Sequence, residues 1–467
     1  MKIQLSEHFT YHKLIRFVLP SIIMMIFTSI YGVVDGLFVS NYVGKTAFAG
    51  LNLIMPFIMA MSALGFMMGT GGSAIVAKTL GEGKKEKANE YFSMIVYVTL
   101  AGGVVLAVVG ILLTKQVSIA LGATGELLDS CILYGRIILI SMPAFMLQNV
   151  FQCFFVTAER PKLGLTVIVL AGVTNMILDF LFIAVFGWGL AGAAFATVCG
   201  ECVGGLLPLV YFGRKNTSPF RLGKARLHWN ILGKTCTNGS SELMTNLSSS
   251  VVNTLFNFQL MHFAGEDGVA AYGTLMYVNF IFVAIFLGYS IGSAPIVSYH
   301  YGARNSDELK NLLTKSLKMI GVWGIGLFAL AQLIASPLAR IFVGYDPDLF
   351  ALTKHGFRIF CLAFLVNGFN IYGSSFFTAL NNGLLSALIS FLRTLVFQIA
   401  AVLLMPMFLG IDGIWGAVFV AEIFTLCVTV ICLVRKRKCS KMRMRAVGVL
   451  NSYILIAVKV DFFANIV

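Results

Sequence analysis

The chain has 467 residues, of which 58% are hydrophobic and only 12% charged, with a mean hydropathy of +0.88. A soluble domain carries about 25% charged residues, so this composition excludes a soluble globular protein and implies a chain that crosses a membrane many times. The net charge of +14 invites nucleic acid as a partner, but the arrangement of that charge, described below, excludes it.

A membrane helix needs about 20 apolar residues. Twelve segments meet this requirement, at 17–40, 51–77, 92–113, 131–157, 164–186, 190–212, 238–263, 271–299, 316–335, 358–380, 386–408 and 413–434. The runs are continuously apolar and lack the period of two of a barrel strand, so helices are expected. The first sixteen residues (MKIQLSEHFTYHKLIR) are polar and basic and precede a run long enough to span, so they are not expected to form a cleavable leader.

In chain order, polar residues interrupt these segments at regular spacing. Asp35 stands in the first, with Thr28 and Tyr31 at helical spacing on the same face. The fourth carries Gln148 and Gln152 four apart, with Asn149 beside them. The fifth carries Asn175 and Asp179 four apart, and the sixth Thr197 and Glu201 four apart. Cys199 and Cys202 form a C-x-x-C inside the sixth segment; no second pair or histidine cluster accompanies them, so they read as small apolar residues. The basic loop Gly213–Thr237 contains Pro219 and is expected to include a short amphipathic helix at the interface. Glu242 lies near the start of the seventh segment, and Asn253, Asn257 and Asn279 follow in the seventh and eighth. Asn367 and Asn370 stand in the tenth and Glu422 in the twelfth, while Arg136, Arg358 and Arg393 are expected close to span ends. The basic run Arg435–Arg445 reads as an anchor, and 446–467 as a surface-lying or disordered segment.

With twelve spans, most of the 34 Lys and Arg fall on the side that carries both termini. This is the positive-inside bias, and it predicts cytoplasmic termini in a plasma-membrane protein with anionic lipid as the neighbour of the basic loops. The two halves also resemble each other at an offset of roughly 220 residues. Val33-Val34-Asp35 aligns with Val251-Val252-Asn253, Phe154-Phe155-Val156-Thr157-Ala158 with Phe376-Phe377-Thr378-Ala379-Leu380, and Gly189-Leu190-Ala191-Gly192-Ala193 with Gly413-Ile414-Trp415-Gly416-Ala417. Six helices per repeat give both halves the same topology, related by an axis along the membrane normal. The expected organisation is an N-terminal six-helix bundle (1–212), a linker (213–237), a C-terminal six-helix bundle (238–434) and a tail (435–467), all α, around a central cavity.

Placing a carboxylate at the centre of a membrane helix costs ~2.5–3.5 kcal/mol on insertion scales. Asp35 and Asp179 both incur that cost, which argues for use rather than interhelical glue, whose pair energies average only ~0.6 kcal/mol. Carboxylates with an Asn carbonyl and a Thr hydroxyl offer hard oxygen ligands to sodium. Alternatively, two neighbouring carboxylates in low dielectric hold one proton between them and release it when a cation arrives. The second half replaces Asp35 with Asn253, so cation binding is expected in the first bundle. Tyr31, Gln148, Gln152, Glu201, Asn253 and Asn279 are the candidates to touch a transported molecule.

The segments VVDGLFVSNYVG (33–44), GLNLIMPF (50–57), GTGGSAIVAKTLGEGKKEKA (69–88), TAERPKLG (157–164), NMILDFLF (175–182) and GLAGAAFAT (189–197) together resemble the multidrug and toxic compound extrusion (MATE) family, over about residues 10–435. Within it the pattern is similar to the branch typified by the damage-inducible F protein. That resemblance implies a cation site at Asp35, Asn175, Asp179 and Thr197, export of organic cations and drugs in exchange for protons or sodium, no cofactor, and a monomer with no nucleic-acid partner. The other large branch places acids in helices 7 and 10. This chain has no acid in its tenth segment. Two other readings compete with this one. A lipid-linked-sugar flippase or polysaccharide exporter would be expected to hold Arg or Lys in its cavity for pyrophosphate. A membrane-embedded enzyme would need a nucleophile–base pair or metal cluster, and no H-E-x-x-H is present.

Overall fold

The computed structural model describes residues 3–344 and 346–439. The segment 446–467, expected to lie on a surface or be disordered, falls outside them. The described residues form α-helices joined by short turns, with no strand among them. The first half comprises α1 (Tyr11–Tyr42), α2 (Lys45–Gly81), α3 (Lys85–Ala120), α4 (Gly125–Ile140), α5 (Met142–Thr157), α6 (Pro161–Asp179) and α7 (Gly189–Gly213). The second comprises α8 (Trp229–Gly302), α9 (Ser306–Val343), α10 (Pro347–Phe360), α11 (Phe364–Ala379), α12 (Gly383–Phe391), α13 (Phe397–Leu409) and α14 (Ile411–Cys439).

Twelve crossings emerge once two features are understood. The 74 residues of α8 would be roughly 110 Å long as one rod at 1.5 Å per residue, far more than the ~30 Å hydrocarbon core. Gly265 (φ 61°, ψ −148°) breaks it in a backbone region that is essentially restricted to glycine, so α8 is the seventh and eighth spans. Conversely, α4 and α5 are one span bent by 56° at Ser141. Pro143 sits in the first turn of α5 and helps define that break.

The two halves fold alike. Each has a buried helix ending in a left-handed residue, Glu159 (φ 58°) after α5 and Asn381 (φ 54°) after α11. The fifth and eleventh spans each contain a π-helical stretch, Phe180–Val185 and Leu392–Val396, a distortion that often marks functional positions. The linker differs from expectation. Residues 214–228 carry no helix, and the helical part from Trp229 is the start of α8 itself rather than a separate surface helix.

The two bundles meet at one end through glycines. A Cβ on Gly71 would overlap Thr235 O, and one on Gly239 would overlap Met67 O. Gly81 and Gly302 form a reciprocal pair against Tyr299 O and Lys78 O. Gly288 and Gly292 rest on Ile22 and Val18 of α1. Helix backbones therefore touch directly along this seam. Over the same end runs the N-terminal segment. Leu5 and Phe9 are fully buried. The Leu5 N–H donates to Glu159 Oε1 at 2.9 Å in the first bundle. The Phe9 N–H donates to Glu308 Oε1 (2.9 Å), and His8 Nδ1 lies 2.6 Å from Glu308 Oε2, in the second. Asn311 and Lys315 donate to Phe9 O at 3.1 and 2.7 Å. Beside them the Lys13 hydrogen bond holds the half-buried Glu7 carboxyl below its usual range.

Candidate functional site

Helices α1, α4, α6 and α7 converge on the acids of the first half. Asp179 closes α6 immediately before the π-helical stretch and is fully buried; Asn175, one turn earlier, is 3% exposed. Asp35 on α1 is half-buried and lies beside Asp179, close enough for the two carboxyls to hydrogen-bond through one proton. Asp179 Oδ1, Asp179 Oδ2, Asp35 Oδ1 and Asn175 Oδ1 find no donor among the described residues. Asn175 Nδ2 donates to Thr197 Oγ at 3.5 Å, and that hydroxyl donates to Ala193 O at 3.1 Å. The four residues matched to the family's cation site are thus adjacent, and their free groups are all acceptor oxygens. Such a set suits a proton shared by the acids or a hard cation such as sodium. No cluster of three or more His, Cys, Asp or Glu with metal-holding geometry occurs among the described residues.

The third acid within the spans of this half, Glu201, lies one turn beyond Thr197 and accepts a hydrogen bond from the Ser141 hydroxyl at the α4–α5 break. Tyr31 lies close to Gln148, Glu201 and Asp35. Gln148 packs over Gly204, whose missing side chain leaves room for its amide. Gln152 is buried on the same helix. Tyr134 was missed at the sequence level. Its hydroxyl is fully buried without a described partner and stands near Thr197, Asp35, Asp179 and Glu201. The signal was present, since Tyr134, Ser141 and Gln148 recur at seven-residue intervals.

The second half treats its acid differently. Glu422, 1% exposed, receives Arg393 Nε at 2.8 Å and Asn370 Nδ2 at 2.7 Å. Arg393 also donates to Asn367 Oδ1, and Thr429 to Asn370 Oδ1 at 3.1 Å. Arg393, expected near a span end, instead lies inside the bundle on the π-helical stretch. This network joins α11, α14 and the eleventh span and satisfies both charges. Asn253 accepts from the Tyr272 hydroxyl at 3.1 Å, and Asn279 is half-buried on α8. Neither is brought to the Asp35–Asp179 group by any described contact.

Two six-span bundles that share one topology and meet at one end, with unpaired acids in one half, are the architecture of a membrane transporter built from two repeats. The MatE family profile matches residues 20–181 and again 243–404, once per bundle. The chain therefore belongs to the MatE family of transporters, as the sequence motifs implied. Among relatives, it is similar to the multidrug export protein MepA of Staphylococcus haemolyticus, 22% identical over 423 residues, covering 90% of this chain and 92% of that one. The MepA of Staphylococcus aureus strain MSSA476 is 21% identical over 417 residues, covering 88% and 91%. Among solved structures, a MATE transporter in complex with MaL6 superposes with a TM-score of 0.86 at 22% identity, covering 95% of this chain and 98% of that one. An outward-facing multidrug resistance MATE transporter of the MOP superfamily superposes with a TM-score of 0.85 at 21% identity, covering 98% of each.

Proposed function

We propose that the protein is a secondary antiporter that exports organic cations and drugs in exchange for protons or sodium. The observation that carries this reading is an asymmetry of charge. Asp35, Asp179 and Glu201 in the first bundle have no basic residue among their described hydrogen-bond and ion-pair partners, whereas Glu422 in the second is neutralised by Arg393. Uncompensated carboxyls at membrane depth are costly, and a cation that enters and leaves is the agent that relieves the cost. Asp35, Asn175, Asp179 and Thr197 hold the coupling ion. Tyr31, Gln148, Gln152 and Glu201 face the exported cation from the first bundle, with Asn253 and Asn279 opposite them. The multidrug export named for the MepA relatives supports the substrate class.

On this reading the basic end, where the N-terminal segment and the glycine seam lie, faces the cytoplasm, and the closed seam corresponds to an outward-facing state. The protein works as a monomer in the plasma membrane. Bound drug and coupling ion compete for the acids, and by linkage each weakens the other's binding by the same factor. The rival flippase reading finds no support at Arg393, because its guanidinium is committed to Glu422 and Asn367. The test is efflux of a fluorescent organic cation from proteoliposomes under a proton gradient and a sodium gradient imposed separately. Export driven by one of them is expected; export driven by neither overturns the antiport reading.

A further inference from the structure

A cavity of about 630 Å³ opens beside α1 at the seam end, away from the acid site. Its walls come from three directions: the N-terminal segment and α1, the α5–α6 turn, and the start of the linker. Its charged lining is unbalanced. Arg16, Arg160 and Lys162 face it against one acid, Glu159, whose carboxylate accepts the Leu5 N–H. The Arg160 terminal nitrogen donates to the Thr217 hydroxyl and carbonyl. Its Nε is buried and has no described partner, and a buried donor without an acceptor costs roughly 1–3 kcal/mol. The first turn of α6 adds to the positive field, because it begins at Pro161 without a side-chain cap. Phe17, Pro20 and Leu163 supply apolar walls next to these cations.

We propose that this cavity binds a phosphate group, and that its apolar walls select the phosphate of an anionic lipid headgroup with the adjoining glycerol and upper acyl chain. A guanidinium–phosphate contact is charge-assisted and geometrically favoured, and basic pockets between membrane helices on the face rich in Lys and Arg are suited to such headgroups. The cavity includes Ile3 of the N-terminal segment and Pro20 of α1. A ligand seated there touches both the segment that spans the bundles and the helix that carries Asp35. It is therefore expected to favour the state in which this end is closed. The site does not involve the transported cation, so its failure would leave the antiport reading untouched.

The experiment compares purified full-length protein with the R16Q/K162Q double variant, which alters exposed side chains and leaves the Arg160–Thr217 contact intact. Thermal unfolding is followed while short-chain phosphatidylglycerol, short-chain phosphatidylcholine or sodium phosphate is titrated at constant ionic strength, and native mass spectrometry counts retained lipid. The expected result is a saturable rise in Tm and one retained molecule with phosphatidylglycerol, both lost in the variant, and no rise with phosphatidylcholine. An equal saturable rise with sodium phosphate, also lost in the variant, keeps the phosphate site and assigns it to the free anion. A response that is the same in the variant, or the same for both lipids, overturns the proposal.

Discussion

Asp35 and Asp179 are the residues on which coupling is expected to turn. Asp35→Asn and Asp179→Asn keep shape and hydrogen bonding while removing the charge, so each is expected to reduce gradient-driven efflux to background while folded protein still reaches the membrane. Near-normal export by either purified variant would return that residue to a packing role. The pair was legible in the sequence because a carboxylate inside an apolar run has few structural uses in lipid. Arg393 was legible in identity and not in role: a basic residue a few positions inside an apolar segment reads as a snorkelling end, and the partner that holds it inward, Glu422, is 29 residues away along the chain. Removing one member of a buried pair strands the other and typically costs 3–5 kcal/mol. Arg393→Ala is therefore expected to lower thermal stability far more than the double variant R393Q/E422Q. Equal losses in the two would show that Glu422 does not depend on Arg393 for its charge.

At the scale of the helix, composition located every span, because twenty apolar residues in a row leave few alternatives, and it said little about breaks. The bend after Ile140 has Pro143 as a visible cause, yet its position at Ser141 depends on tertiary contacts, including the Glu201 carboxylate. The break between the seventh and eighth spans was bracketed by the segment limits 263 and 271, but the residue that makes it, Gly265, was not singled out. Glycine is common in membrane helices, and nothing in a local window distinguishes one that turns the chain from one that only packs. At φ 61° and ψ −148° a side chain is strained by about 1–3 kcal/mol. Gly265→Ala is accordingly expected to lower Tm measurably, while Gly273→Ala, where an added Cβ meets nothing within 4 Å, should be close to neutral.

For the whole molecule, the seam fixes which end is shut. Backbone-to-backbone contact at Gly81 and Gly302 leaves no volume for a side chain, so Gly302→Val is expected to wedge the bundles apart and shift the population toward opening at this end. In a cysteine-free background, Thr235→Cys, at a fully buried position on the seam, should react slowly with a membrane-impermeant maleimide and faster once Gly302→Val is added; unchanged reactivity would mean that the seam does not gate access. The N-terminal segment acts on the same equilibrium by a different means. It is tied to the first bundle at Leu5 and again where α1 begins, and between those points His8 and Phe9 catch α9 of the second bundle. The arrangement is a hook: one bundle carries the bend, the other the eye. With at most ~3.6 Å of chain per residue, the few residues between these anchors offer little slack. The bundles can part only a short way before Glu308 must let go. Unhooking thus becomes a discrete step in the cycle rather than a gradual stretch, and anything that shortens, tags or rebuilds the first nine residues should alter how often that step occurs while leaving the affinity of the distant acids for their ion unchanged.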